Sequence, residues 1–191
     1  GDTKNGMKKI GIIAKDTTKA RTAVRKLMKW LTARGKQVFI DEATAAALRT
    51  TGYRSRALPS LTEMIIVLGG DGTLLSAARL VAASKRNVPI FGVNLGSLGF
   101  MAEVSLDELY ANLAKAFAGR LRSEERMMLT ARVLRAGAMI SEQTVLNEAV
   151  VAKGAKARMV TLDVSVGSDH LTSIRADGLI LATPTGSTAY S

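Results

Sequence analysis

Met64-Ile65-Ile66-Val67-Leu68 runs straight into Gly69-Gly70-Asp71-Gly72-Thr73, and an aliphatic, helix-forming stretch from Leu74 to Ala83 follows. Five consecutive apolar residues without alternation describe a strand covered on both faces, which is how the strands of a parallel sheet are buried. The reading is therefore strand, glycine turn, helix. Toward the N-terminus, Lys9-Ile10-Gly11-Ile12-Ile13-Ala14 is a short β-branched run. Thr17 to Arg34 then carries Ala23, Leu27, Trp30 and Leu31 at helical spacing and stops at Gly35, a residue suited to the position just past a helix. Gln37-Val38-Phe39-Ile40 reads as a second strand, followed by an Ala-rich stretch with a loop. Toward the C-terminus, Val88-Pro89-Ile90-Phe91-Gly92-Val93 is a strand ending in the loop Asn94 to Phe100. Ser105-Leu106-Asp107-Glu108 offers a capping box for a helix running to Ala118 and stopped by Gly119. Alternating strands and helices predict an α/β domain built on a doubly wound parallel sheet.

Beyond about Arg122 the pattern changes to apolar runs at Met127 to Leu134, Val145 to Val151, Arg158 to Val166 and Leu179 to Thr183, with turns between and no helix. The expected organisation is an α/β domain over residues 7–122 and the first part of an all-β sandwich over 123–191. That second domain is expected to be incomplete, because no later strand would cover its sheet edges. Gly1 to Gly6 carries no pattern and is set aside.

The 191 residues are 47% hydrophobic and 23% charged, the composition of a globular chain and not of a disordered one. No window approaches the roughly 18 apolar residues of a membrane span, and the start lacks a basic-then-apolar secretory pattern, so a cytoplasmic protein with no membrane partner is expected. There is no cysteine, which excludes disulfides, thiolate zinc sites and cysteine nucleophiles. The single histidine, His170, sits among Gly167, Ser168 and Asp169 and is expected in a surface turn. The net charge of +11 is concentrated at one end: residues 1–60 hold 14 Lys and Arg against 4 Asp and Glu. Only Trp30, Phe39 and Tyr53 are aromatic in that stretch, too few to form a platform for stacked bases, so no nucleic-acid partner is expected, although such a face attracts anionic nucleotides.

A glycine-rich turn between a buried strand and a helix brings backbone N–H groups and the helix dipole to one point, as a phosphate site requires. The rim at the carboxyl end of a parallel strand is also where open α/β sheets bind ligands. Asp71 adds a carboxylate that can take a proton from an attacking hydroxyl or help hold Mg²⁺. Asp-Gly is equally a common turn dipeptide, and the residues by themselves leave a plain tight turn open.

Four further segments extend the motif. Asn94-Leu95-Gly96-Ser97-Leu98-Gly99-Phe100, Leu146-Asn147-Glu148, Ala176-Asp177-Gly178-Leu179-Ile180 and Thr183-Pro184-Thr185-Gly186-Ser187-Thr188-Ala189-Tyr190-Ser191 follow in order. Together with Gly69 to Thr73 they resemble the motifs of the bacterial NAD kinase family, from the first strand to the last residue. Gly-Gly-Asp-Gly-Thr is shared with diacylglycerol and sphingosine kinases, so a lipid kinase is the alternative. The polar groups Asn147, Glu148 and Asp177 suit a dinucleotide acceptor better than a lipid.

The resemblance implies transfer of the ATP γ-phosphoryl group, or one from inorganic polyphosphate, to the adenosine ribose 2′-hydroxyl of NAD, giving NADP. It implies Mg²⁺ or another divalent cation, and a homo-oligomer, dimer or tetramer, in which a partner chain often completes the dinucleotide site. By resemblance Asp71 is the catalytic proton acceptor, and Gly69, Gly70, Gly72 and Thr73 take the phosphates. Asn147 and Glu148 resemble the clamp on the adenine ribose, Phe100 packs on the adenine, and Arg158 is a basic position near the substrate. Asp177, with Arg175 before it, resembles the nicotinamide-side contact. Thr185, Thr188, Ala189 and Tyr190 resemble further dinucleotide contacts. No residue is assigned as a metal ligand. Ile174 stands where the family commonly has Tyr, which removes a ring contact there and leaves the charges.

Overall fold

The computed structural model describes residues 6–96, 99, 101–102, 104–155 and 158–190, the last three of these by backbone alone. The chain forms two compact units, Gly1–Glu125 and Arg126–Ser191.

The first unit is built on a five-stranded sheet. Strands β1 (Lys9–Ala14), β2 (Gln37–Ile40), β3 (Met64–Gly69), β4 (Ile90–Asn94) and β5 (Val104–Ser105) lie in the order β2-β1-β3-β4-β5, every pair parallel. All six residues of β3 are buried. Ile66 and Leu68 face one apolar layer, with Val24, Leu27 and Leu31 of helix α1 (Thr18–Thr32) and Leu109 and Leu113 of helix α5 (Leu109–Phe117). Ile65 and Val67 face the other, with Leu58 of α3 (Leu58–Leu61) and Leu74 and Ala77 of α4 (Asp71–Ser84). Alternation along a strand puts successive residues on opposite faces, so an unbroken apolar run needs helices on both sides. The doubly wound α/β expectation holds. β1 lies between β2 and β3, so chain order reverses beside β3, and the carboxyl ends of β1 and β3 form the switch point where such sheets open a crevice.

The Ala-rich stretch after β2 is helix α2 (Glu42–Leu48), capped by Asp41, whose Oδ1 accepts from the Thr44 N–H at 3.2 Å. Helix α5 starts at Leu109, later than the capping-box motif suggested. The Glu108 carboxylate turns back to the Ser105 N–H (3.3 Å) and hydroxyl (2.9 Å), which holds residues 105–108 as a turn ahead of the helix.

The second unit is β-rich. Antiparallel pairs join β6 (Leu129–Arg135) to β7 (Ala138–Val145), β9 (Val160–Val166) to β10 (Asp169–Ala176), and β8 (Glu148–Ala152) to β11 (Gly178–Ala182). Apolar side chains such as Val150, Val151, Ile180 and Leu181 are exposed on the β8/β11 pair. Two sequence readings need correction here. His170 lies on β10, exposed, just past the Gly167-Ser168 turn, because pairing with Ser165 extends the strand to it. The Pro-Thr-Gly-Ser-Thr string, in a region expected to hold no helix, forms helix α6 (Pro184–Tyr190). Pro184 opens it with φ already set for a helix, and buried Thr183 caps it, its Oγ1 accepting from the Gly186 N–H at 3.3 Å.

Glu63 ties the start of β1 to the strand beside it: Oε2 accepts from the backbone N–H groups of Lys8 (2.6 Å) and Lys9 (2.8 Å). These bonds, with smaller help from the charges of Lys9 and Lys36, hold its carboxyl below the usual range. A carboxyl lowered in the folded state stabilises above its unfolded pKa and loses that contribution as pH falls through the folded value. Glu63→Gln should therefore lower stability at neutral pH by no more than about 1 kcal/mol, since the group is exposed. The difference from the parent should shrink on acidification, as read from denaturant midpoints between neutral and acid pH.

Candidate functional site

In the first unit the site is the passage from β3 into α4. Gly70 occupies the N-cap of α4 with extended backbone and no side-chain cap, which leaves the first N–H groups of a 14-residue helix for a ligand. A Cβ on Gly70 or Gly72 would meet nothing within 4 Å, so both glycines border open space. Gly69 is different: a Cβ there would collide with the Thr73 side chain, which folds back on the strand end. Gly69 pairs in register with Asn94, and its carbonyl accepts from the Leu95 N–H at 3.0 Å. The two motif loops are thereby fastened side by side. Asn94 Oδ1 accepts from the Gly96 N–H at 2.9 Å, shaping the second loop, and the Lys19 ammonium of α1 donates to the Leu95 carbonyl at 2.7 Å.

Asp71 is the first residue of α4, and its half-buried carboxylate is held by the loop after β4. Oδ1 accepts from the Met101 N–H at 3.2 Å. Gly99 lies directly against the carboxylate: a Cβ there would collide with Oδ1 and stand 2.8 Å from Cγ and 2.9 Å from Oδ2. An acid at the first helical position also lies in the favourable end of the helix dipole. The sequence reading missed the roles of Gly99 and Met101, although Gly99 stood inside a quoted motif. Its signal was a second glycine, three residues after Gly96 in the same motif.

In the second unit the expected residues fall into two groups at opposite ends of the β8/β11 pair. At one end Glu148 begins β8 opposite Ala182, and Thr183 follows directly. The Thr183 hydroxyl lies 2.6 Å from the Leu146 carbonyl and 3.0 Å from that of Asn147, and its N–H donates to Asn147 at 2.8 Å. A Cβ on Gly186 would run into the Asn147 backbone, so α6 and the Asn147-Glu148 corner are packed together. Thr185 sits on this helix and accepts from Arg126 at 3.3 Å. Glu148 Oε2 is shut off from solvent with no hydrogen-bond partner among the described residues. At the other end, Asp177 pairs with Lys153 at 2.6 Å while its side chain stays 80% exposed. Lys153 also donates to the carbonyl of Arg158 at 3.2 Å, and Arg175 points from β10 as an exposed cation. Five residue steps lie between Glu148 and Lys153, and between Ala182 and Asp177, roughly 16 Å at the usual strand rise. A ligand touching both ends of one pair must be extended. Phe100 lies outside the described residues, as do the side chains of Thr188, Ala189 and Tyr190.

With this geometry in place, the comparisons with known proteins decide the family. Residues 10–121 match the family model of the ATP-NAD kinase N-terminal domain, and residues 146–191 that of the ATP-NAD kinase C-terminal domain. The chain belongs to the ATP-NAD kinase family. It is 45% identical over 190 residues to an NAD kinase of Geobacter sp. strain M21, covering 97% of this chain and 65% of the relative. An NAD kinase of Geobacter metallireducens is 47% identical over 185 residues, 96% of this chain and 65% of its own length. The chain thus spans 65% of the length of these curated relatives. Among solved structures, an Archaeoglobus fulgidus NAD kinase in complex with ATP is similar with a TM-score of 0.70 and 26% identity, over 95% of this chain and 63% of that one. Yeast NADH kinase complexed with NADH shares the fold, with a TM-score of 0.87 at 23% identity over 98% of this chain and 60% of that one. These relatives are NAD or NADH kinases, which gives the lipid-kinase alternative no support.

The seat of Asp71 makes a quantitative prediction within the ATP-NAD kinase fold. Gly99→Ala forces the carboxylate or the 99–101 loop to move and should cost about 1–3 kcal/mol, the usual range for overpacking. In an Asp71→Ala background the same change should be nearly neutral. Chemical denaturation of the four chains closes this cycle, and additive losses would separate Gly99 from Asp71.

Proposed function

We propose that this chain carries the phosphoryl-transfer site of an NAD kinase, moving the γ-phosphoryl group of ATP to the adenosine ribose 2′-hydroxyl of NAD. The observation that carries the reading is Asp71: a carboxylate fixed by Met101 and Gly99 at the first turn of α4, between two glycines that border open space. Backbone N–H groups there suit phosphate oxygens, and the carboxylate suits the hydroxyl that attacks.

In the proposed step the ribose O2′ forms a bond to the γ-phosphorus while the bond from that phosphorus to the β–γ bridging oxygen breaks. ADP leaves, and the hydroxyl proton passes to Asp71 and then to solvent. A sugar hydroxyl is a weak acid, so Asp71 acts mainly by aiming the oxygen and receiving the proton late, with positioning supplying most of the effect. Among the described residues no group of three acidic or histidine side chains stands ready to cage a metal. Asp71 beside open backbone fits Mg²⁺ all the same, because that ion keeps water and substrate phosphates as most of its ligands. Asp71 would share it with the phosphates, and the bound ion supplies neutralisation of their charge.

The acceptor's adenine ribose is assigned to the Asn147-Glu148 corner, where the solvent-shielded Glu148 Oε2 is an acceptor for a ribose hydroxyl. The Asp177, Arg175 and Arg158 end is assigned to the nicotinamide side. Because these ends lie apart on one strand pair, a dimer or tetramer in which a partner brings its Asp177 end to this chain's Glu148 end completes the site. The reading extends to a cytoplasmic enzyme.

The test is a coupled assay of NADP formation from NAD, ATP and Mg²⁺, with thermal shifts for each nucleotide. Asp71→Asn should lower kcat by at least about 100-fold, the scale of a positioned base, and leave the NAD and ATP thermal shifts close to the parent's. Near-parental turnover in that variant removes Asp71 from the mechanism. Phosphate transfer to diacylglycerol in place of NAD overturns the whole reading.

A further inference from the structure

The N-terminal positive charge is not spent on the phosphate loop. Lys19 faces that loop through Leu95, but the neighbouring stripe of α1, Thr18, Arg21, Thr22 and Arg25, faces elsewhere. Positions i, i+3, i+4 and i+7 share one helix face, so these four line a single wall. Ala47 and Arg49, at the end of α2, form the opposite wall of a cleft of about 490 Å³. Three of its six lining residues are arginines and none is acidic or aromatic. Arg21 is held by Asp16 at 2.5 Å and donates to the Thr18 hydroxyl at 3.1 Å. The guanidinium groups of Arg25 and Arg49 have no hydrogen bond or ion pair among the described residues.

Arg49 adopts φ 57°, ψ 48°, the left-handed region, at the C-cap of α2. Glycine ends helices there without strain, whereas a side chain is disfavoured. Lys85 ends α4 in the same left-handed conformation, so the backbone by itself assigns Arg49 no role; it does mean that glycine can replace this arginine on the cleft wall at no backbone cost.

We propose that the α1/α2 cleft is a second anion site, distinct from the Gly69–Thr73 loop, taking a soluble ligand with two or more phosphate groups. Guanidinium forks meet phosphate oxygens in bidentate fashion, and two separate unpaired forks call for more than one phosphate. The absence of an aromatic in the lining argues against a nucleic-acid strand, which gains much of its affinity from base stacking.

The test uses the full chain without divalent metal, with inorganic pyrophosphate as probe. Calorimetry should show binding that Arg25→Gln and Arg49→Gly each weaken by about ten-fold or more, the scale of a lost charge-assisted pair. Arg49→Gly should melt no lower than the parent, which a merely structural role for the arginine would not give. Phenylglyoxal labelling with peptide mapping should find Arg25 and Arg49 protected by pyrophosphate. Unchanged affinity in both variants, or protection confined to other arginines, overturns the site. Equal binding of orthophosphate overturns the requirement for two phosphates, and tighter binding of an oligonucleotide at matched phosphate reassigns the cleft to nucleic acid.

Discussion

Asp71 can act only if its carboxylate stays at the mouth of the glycine turn, and the loop after β4 supplies that constraint. A short polar side chain at the first position of a helix has several rotamers open to it, and water competes for its oxygens. Met101 answers with a backbone donor and Gly99 by leaving out the one atom that would displace the carboxylate. Both belong to the segment that leaves the sheet beside β3, because Gly69 and Asn94 are paired in register and the Gly69 carbonyl binds Leu95. The geometry of one side chain thus rests on parallel pairing of β3 with β4, and that pairing rests on burial of β3 on both faces.

This dependence is why the first unit was legible. An unbroken apolar run as short as Met64 to Leu68, bounded by glycines, suits a strand covered on both faces and little else, and those glycines mark the switch point by position. What stayed hidden was contact between segments distant in sequence. Nothing in Gly99 by itself announces that it makes room for a carboxylate 28 positions earlier. In the second unit the local signal was weaker. β7 carries Ser141, Glu142 and Gln143, and β10 begins with Asp169 and His170, so neither shows the apolar alternation that marks a half-buried strand. They are strands because two-residue turns, Ala136-Gly137 and Gly167-Ser168, fold them onto β6 and β9, with Ala136, Gly137 and Gly167 at positive φ. Helix α6 has poor helix formers and owes its form to Thr183 and to packing of Gly186 on Asn147, which are tertiary effects.

The two ends of the β8/β11 pair differ in kind, and the difference bears on specificity. Asp177 and Lys153 form an ion pair in solvent, an arrangement worth little and easily exchanged for another partner. Glu148 places a carboxylate oxygen out of reach of water with no partner among the described residues, which costs free energy in the unliganded chain. An acceptor of that sort rewards a ligand that donates to it and penalises one that does not. A site built to hydrogen-bond a hydroxyl rejects an analogue lacking it far more strongly than an apolar pocket rejects an added group. Within the proposed reaction, selectivity for the ribose then resides at the shielded Glu148 end, while the exposed Asp177 end is free to tolerate variation in what it meets.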